Sequence, residues 1–289
     1  MNDLTRVAIG QMTCDWQVEK NLDAAEAIIR DAAKAGAHVV LLQELFATPY
    51  FCPKQKAEYF AYAAPVEGHP FLGRFASIAK ELGIVCPISF FERVDNVYFN
   101  SMMMIDADGT MLGLYRKSHL PQGPGYEEKF YFSNGDTGFK TWDTAIGRVG
   151  VGICWDQWFP ECARSMALEG ADLLLYPTAI GSEPESPHLD SKDHWQRTMQ
   201  GHAAANMVGL AASNRIGREV IDDITMNYYG HSFIANATGE ILADLGGDVG
   251  VATADFDFAA MRESRASWGM FRDRRTDLYG GLTRLYGQS

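Results

Sequence analysis

Three residue types in this chain of 289 residues could together carry out nucleophilic catalysis. The segment Gly150–Glu161 alternates glycine with apolar residues as a buried strand would. It ends at Cys154, and Asp156-Gln157 followed by Pro160-Glu161 then open a helix. A thiol at that corner projects beyond the sheet edge, beside the free backbone N–H groups of the helix start. A cysteine in such a setting is more often simply buried, so the reading depends on partners. Two apolar strands supply them: Ala37–Phe46, which carries Glu44 near its end, and the strand leaving Tyr115 and Arg116, which is followed by Lys117. Taken singly, Glu44 is an ordinary strand-end carboxylate and Lys117 an ordinary surface charge. Taken together they are a base, a fixed positive charge and a nucleophile, each at the end of its own strand. A free thiol titrates near ~8.5, so it needs a proton acceptor at neutral pH. Glu44 can take that proton and return it to a leaving group. Lys117, with the backbone N–H of Trp155, can hold an oxyanion, and losing one such donor costs on the order of 10²–10³ in rate.

The elements that must place these groups show an internal echo. Gly36–Leu42 recurs as Gly170–Tyr176, each after an alanine-rich helical stretch. Met104–Thr110 recurs as Ile234–Glu240, with Asp108-Gly109 and Thr238-Gly239 as tight-turn chemistry. Between these landmarks lie another helix and strand per half, Phe71–Phe90 and His194–Ser213. Strands alternating with helices predict an α/β fold, and the repeat predicts two sheets face to face, one from each half, with helices outside. Glu44 and Lys117 then come from the first half and Cys154 from the opening strand of the second. A doubly wound nucleotide-binding sheet is disfavoured, because no Gly-x-Gly-x-x-Gly stands between a strand and a helix.

With Glu44, Lys117 and Cys154 in this order, the chain resembles the nitrilase superfamily of carbon–nitrogen hydrolases over nearly its whole length. The resemblance implies a four-layer α-β-β-α sandwich with an internal pseudo-twofold repeat, formed by residues 1–289 as a single domain. It also implies a Glu-Lys-Cys triad and a second active-site glutamate. That glutamate is placed at Glu128 rather than Glu127, because a basic residue and then aromatics follow it directly (Lys129, Phe130, Tyr131). Cys154–Glu161 and Ile180–Pro184 are closest to the branch that hydrolyses N-carbamoylputrescine. The implied chemistry is attack of the thiol on a ureido carbon, release of ammonia, and hydrolysis of a thiocarbamoyl enzyme without metal or organic cofactor. Relatives acting on N-carbamoyl amino acids place an arginine shortly after the cysteine, where it clamps a carboxylate. Here Asp156 and Gln157 occupy those positions, so both are expected at the substrate. Among the acidic residues that could hold an ammonium group (Glu183, Glu185, Asp190), the resemblance favours Glu183. A related amidase for another carbamoyl or ω-amide substrate is the alternative within enzymes, and a silent binding or scaffold protein is the alternative outside them. The intact triad argues against the latter.

Composition narrows the class further. No apolar run is long enough to cross a bilayer, and Met1–Arg6 leads straight into strand-like Val7–Met12 without a leader pattern. A net charge of −12 speaks against a nucleic-acid partner. Cys14, Cys52, Cys86, Cys154 and Cys162 are odd in number and lack Cys-x-x-Cys spacing. That predicts free thiols in a reducing cytoplasm rather than a disulfide framework or zinc site. None of His119, His194, His202 and His231 falls in a metal-binding helical motif. The stretch Arg262–Arg275, basic and interleaved with Trp268 and Phe271, reads as an ion-pair surface. Since family members assemble into dimers or larger spirals, the tail from about 262 to 289 is expected in homo-oligomer contacts.

Overall fold

Residues 7–9 and 39–42 alternate in facing, as a strand's period of two demands. In the computed structural model, which describes residues 4–186 and 188–287, Val7, Ile9, Val39 and Leu41 join a core between two sheets. Ala8, Val40 and Leu42 point the other way, into a core under helices. The first half runs β1 (Thr5–Gln11), α1 (Val18–Lys34), β2 (Val39–Leu41), α2 (Leu72–Leu82), β3 (Cys86–Val94), β4 (Val97–Ile105) and β5 (Met111–Arg116). After β6 (Thr141–Thr144), the second half repeats the order: β7 (Gly147–Val151), α3 (Pro160–Leu168), β8 (Leu173–Pro177), α4 (Lys192–Asn206) and β9 (Gly209–Ser213). It continues through β10 (Ile216–Ile221), β11 (Ile224–Tyr229), β12 (Phe233–Ala235) and β13 (Ile241–Asp244), and β14 (Gly250–Phe256) and α5 (Phe258–Trp268) follow.

β1 and β2 pair in parallel, the Val40 and Val85 amides carry the pairing on to the start of β3, and β3-β4-β5 continue antiparallel. The second sheet matches, with β7-β8-β9 parallel and β9-β12-β13 antiparallel. The expectation of one sheet per half fails only at one edge of each. There β6 pairs with β7 and β14 returns to pair with β1, so each half lends its last strand to the other's sheet. This exchange covers the edge that each first strand would otherwise leave unpaired.

On α1, buried Leu22, Ala25, Ile29 and Ala32 recur at helical spacing, and with Phe75 and Ile78 of α2 they cover the first sheet. Met166, Trp195, Met199 and Ala203 of α3 and α4 do the same for the second. The two expected turns also match. Gly109 and Gly239 adopt φ +85° and +84°, and a Cβ on either would lie 2.7 Å from a backbone oxygen, Ala76 O on α2 or Gln200 O on α4. Glycine is therefore required for both hairpins to close against their helices. Of the N-terminal lead, Met1–Asp3 lie outside the described residues.

Candidate active site

β7 stops at Val151, and a single 3-10 turn, Cys154–Trp158, precedes α3. The reversal puts Cys154 at φ +42°, a left-handed conformation that a non-glycine residue holds only where its surroundings over-determine it. Only 4% of Cys154 is exposed, at the base of a cleft of about 200 Å³. Trp155 is the second residue of the turn, where backbone N–H groups have no partner within the helix.

Glu44 lies beyond the end of β2 and is fully buried, as are Glu128 and, to within 1%, Lys117. Lys117 Nζ donates to Glu44 Oε1 at 2.8 Å and to both oxygens of Glu128 at 2.7 Å. Asn100 Nδ2 donates to the same Glu44 oxygen at 2.6 Å, and Tyr50 OH to Glu128 Oε1 at 2.6 Å. Glu44 Oε2 is buried without a hydrogen-bond partner among the described residues. An orphaned carboxylate oxygen in such a place requires a reason, and an incoming proton supplies one. The structure thus separates the two neighbouring glutamates: Glu128 joins the cluster, whereas Glu127 accepts from Gln55 at the surface.

Two carboxylates around one ammonium leave this dry cluster short of positive charge. Burial opposes the charged form of Lys117, but Glu128 and Glu44 reverse that and hold it well above its ordinary range. Burial likewise raises the Glu128 carboxyl to about 7 against the pull of Lys117. The Cys154 thiol is pushed well above its usual value by burial first and by Glu44 second. These directions describe a resting neutral thiol beside a proton acceptor, rather than a standing thiolate.

Trp155 and Trp158, Tyr126, Ile180 and Glu183 line the cleft above Cys154. Glu183 therefore shares a cavity with the thiol, and partial burial raises its carboxyl. Glu185 and Asp190 are exposed, and Asp190 is spent on the Lys192 amide. Asp156 and Gln157 depart from expectation. Both are fully buried and neither lines the cleft. Asp156 accepts from Tyr115 OH, the Ile153 amide and the His119 amide, and Gln157 accepts from Thr178 Oγ1. A 3-10 turn rotates each successive side chain by roughly 120°, so Asp156, two residues on, points away from the side of Cys154, while Gln157, which returns to that side, is held in the interior by Thr178. Tyr50 and Asn100 were missed, because neither lies beside a motif residue in the sequence.

A carbon–nitrogen hydrolase family model matches residues 6–266. The chain belongs to the carbon–nitrogen hydrolase family. As a member of this family it is an enzyme that hydrolyses carbon–nitrogen bonds, on the nitrilase-type sandwich described above. It is 54% identical over 287 residues to an N-carbamoylputrescine amidase of Oryza sativa subsp. japonica, covering 98% of this chain and 95% of that one. It is 53% identical over 283 residues to a citrullinase of Francisella tularensis subsp. tularensis, covering 97% and 99%. The crystal structure of a carbon–nitrogen hydrolase from Helicobacter pylori matches with a TM-score of 0.92 at 33% identity, covering 99% of this chain and all of that one.

Proposed function

We propose that this hydrolase converts N-carbamoylputrescine to putrescine, carbon dioxide and ammonia, as a step of polyamine synthesis. Cys154 attacks the ureido carbon while Glu44 takes the thiol proton through its free oxygen. Lys117 and the Trp155 N–H face the developing oxyanion, and Glu128 holds Lys117 in place. The tetrahedral intermediate expels ammonia with the proton from Glu44, leaving a thiocarbamoyl enzyme. Water activated by Glu44 then releases the carbamate, which loses carbon dioxide.

The observation that carries the substrate assignment is Glu183 in the cleft of Cys154, with Trp155, Trp158 and Tyr126 for the methylene chain and no Lys or Arg among the described lining residues. Citrulline also presents a ureido group, but its far end carries a carboxylate beside the ammonium, and that carboxylate would meet Glu183 without a cation. Glu183→Gln keeps shape and removes charge. A charge-assisted hydrogen bond contributes about 1.5–3 kcal/mol, so kcat/KM for N-carbamoylputrescine should fall about 10- to 150-fold. N-carbamoylbutylamine, which lacks the ammonium, should hardly change. Equal losses on both substrates would make Glu183 a purely architectural residue, and turnover of citrulline faster than N-carbamoylputrescine would overturn the assignment.

The proposal takes the chain as one catalytic domain working in a reducing cytoplasm, where its five cysteines stay free. It takes residues from about 262 onward as homo-oligomer contacts. Trp268, Leu278, Leu282, Leu285 and Tyr286 are 66–97% exposed along this stretch, more apolar surface than a free tail tolerates. Gln288 and Ser289 lie outside the described residues. An isologous dimer or larger assembly is expected by light scattering at micromolar concentration, and a monomeric mass would refute it.

A further inference from the structure

Arg215 is fully buried at the break between β9 and β10. Its Nη2 donates to the carbonyl oxygens of Glu44 at 3.0 Å and Leu45 at 2.9 Å. Its Nη1 donates to the carbonyl of Thr48 at 2.9 Å and to Glu219 Oε1 at 2.8 Å. The other oxygen of Glu219 accepts the amide of Tyr50 at 2.7 Å, and Tyr50 OH reaches Glu128. One ion pair from the second half thus grips residues 44–50 of the first, the segment that carries both the orphaned carboxylate and the tyrosine beside Glu128. The gripped backbone is strained, with Leu45 at φ +48°. A β-carbon in that conformation persists only under outside constraint, and the planar fork of a guanidinium serves three carbonyls and Glu219 at once, four acceptors where an ammonium has three donors. A buried charge is a poor choice for stability alone, since desolvation offsets most of its attraction.

Resting on the role proposed above for Glu44, we infer that Arg215, with Glu219 behind it, is a positioning residue of the reaction that sets where the Glu44 carboxylate meets the thiol. It touches neither substrate nor thiol. Its influence travels through the backbone of residue 44, and small misplacements of a reacting group cost up to about 10² in rate.

The test compares kcat and KM for N-carbamoylputrescine in Arg215→Lys, Glu219→Gln and Glu44→Gln, normalised to folded protein by thermal melting. Arg215→Lys should lower kcat about 10- to 100-fold with KM within about twofold, because Glu183, Trp155 and Trp158 stand on other elements. Glu219→Gln keeps an acceptor for the Tyr50 amide and should lower kcat about 3- to 10-fold, again without moving KM. A lower melting temperature with unchanged kcat per folded molecule would reduce Arg215 to a structural residue and overturn the inference. So would proportionate changes in kcat and KM, which would mean a general loosening of the site. If Arg215→Lys does not fold, Glu219→Gln decides by the same split. Full activity in Glu44→Gln would instead remove the catalytic reading on which the inference rests. An inactive Glu44→Gln beside a fully active Arg215→Lys would sink the inference alone.

Discussion

The two halves of the molecule share a scaffold and differ in the residues they place at the strand ends. Val7 lies opposite Val39 as Val149 lies opposite Leu173. By that register, position 12 answers to position 154 and position 44 to position 178. At the ends of the first strands stand Met12, buried, and Cys154. At the ends of the second stand Glu44 and Thr178, close enough that the Glu44 amide donates to the Thr178 carbonyl at 3.4 Å. The hairpins differ too. β3 and β4 pair without interruption, whereas their counterparts in the second half are split between β9 and β10 and between β11 and β12, and Arg215 leaves at the first break. Each half offers side chains beyond the ends of parallel strands, where the ladder no longer dictates their direction. Symmetry supplies the position, and the residue placed there supplies the function.

The comparison is sharpest at Cys154. Cys154→Ala should reduce turnover by more than about 10³-fold with folding intact. Cys14, the thiol that follows the equivalent strand end, should tolerate serine with less than about a tenfold loss. Appreciable turnover by Cys154→Ala, or loss of the thiocarbamoyl adduct from the Cys154 peptide in a mass spectrum of trapped wild type, would break the division of labour. The second strand ends come next. Glu44→Gln should cost about 10²–10⁴ in kcat, the range of a positioned acid–base group. Thr178→Val, at the matching position, should cost less than tenfold in kcat while lowering stability by about 1 kcal/mol for its lost hydrogen bond. Equal catalytic losses would mean that the two positions act alike.

The smallest effect concerns the thiols themselves. Burial and Glu44 raise Cys154, and burial raises Cys14 to about 11. For an acid raised in this way the charged form gains tenfold per pH unit below its pKa, so neither thiol should be ionised at neutrality. Alkylation of the substrate-free enzyme by iodoacetamide, followed at Cys154, should climb steadily from pH 7 to about pH 10 without a plateau. Because Glu128 also raises this thiol, Glu128→Gln should move the climb to lower pH. A plateau below about pH 8 in the wild type would instead establish a resting thiolate and make Glu44 unnecessary for the first proton transfer.

Much of this was legible in residue types. The alternation at residues 7–9 and 39–42 announces strands, and the glycine turns at 109 and 239 announce their hairpins; the choice of Glu128 over Glu127 rests on the family resemblance. Asp156 and Gln157 were misplaced for a definable reason. Adjacency to Cys154 in the sequence suggests proximity to the substrate, whereas the fold buries both side chains away from the cleft. Tyr50, Asn100 and Arg215 had no signal to find. Each is an ordinary residue whose meaning depends on an atom 56 to 171 residues away.

By itself, the amino-acid order determines the repeated strand–helix units, the presence of a glutamate, a lysine and a cysteine at the ends of separate strands, and an acidic loop at residues 183–190. Local pattern and chemistry suffice for these, because periodicity and functional-group type are properties of short segments. Only the tertiary structure decides that one oxygen of Glu44 is left unpaired among the described residues, that Glu183 opens onto the cleft of Cys154, and that each sheet borrows its edge strand from the other half. It alone brings the Arg215 guanidinium to the backbone of Glu44. Those outcomes depend on burial and on distances between distant segments, and a buried charge acquires its partners, and with them its proton affinity, only once the two sheets have closed on each other.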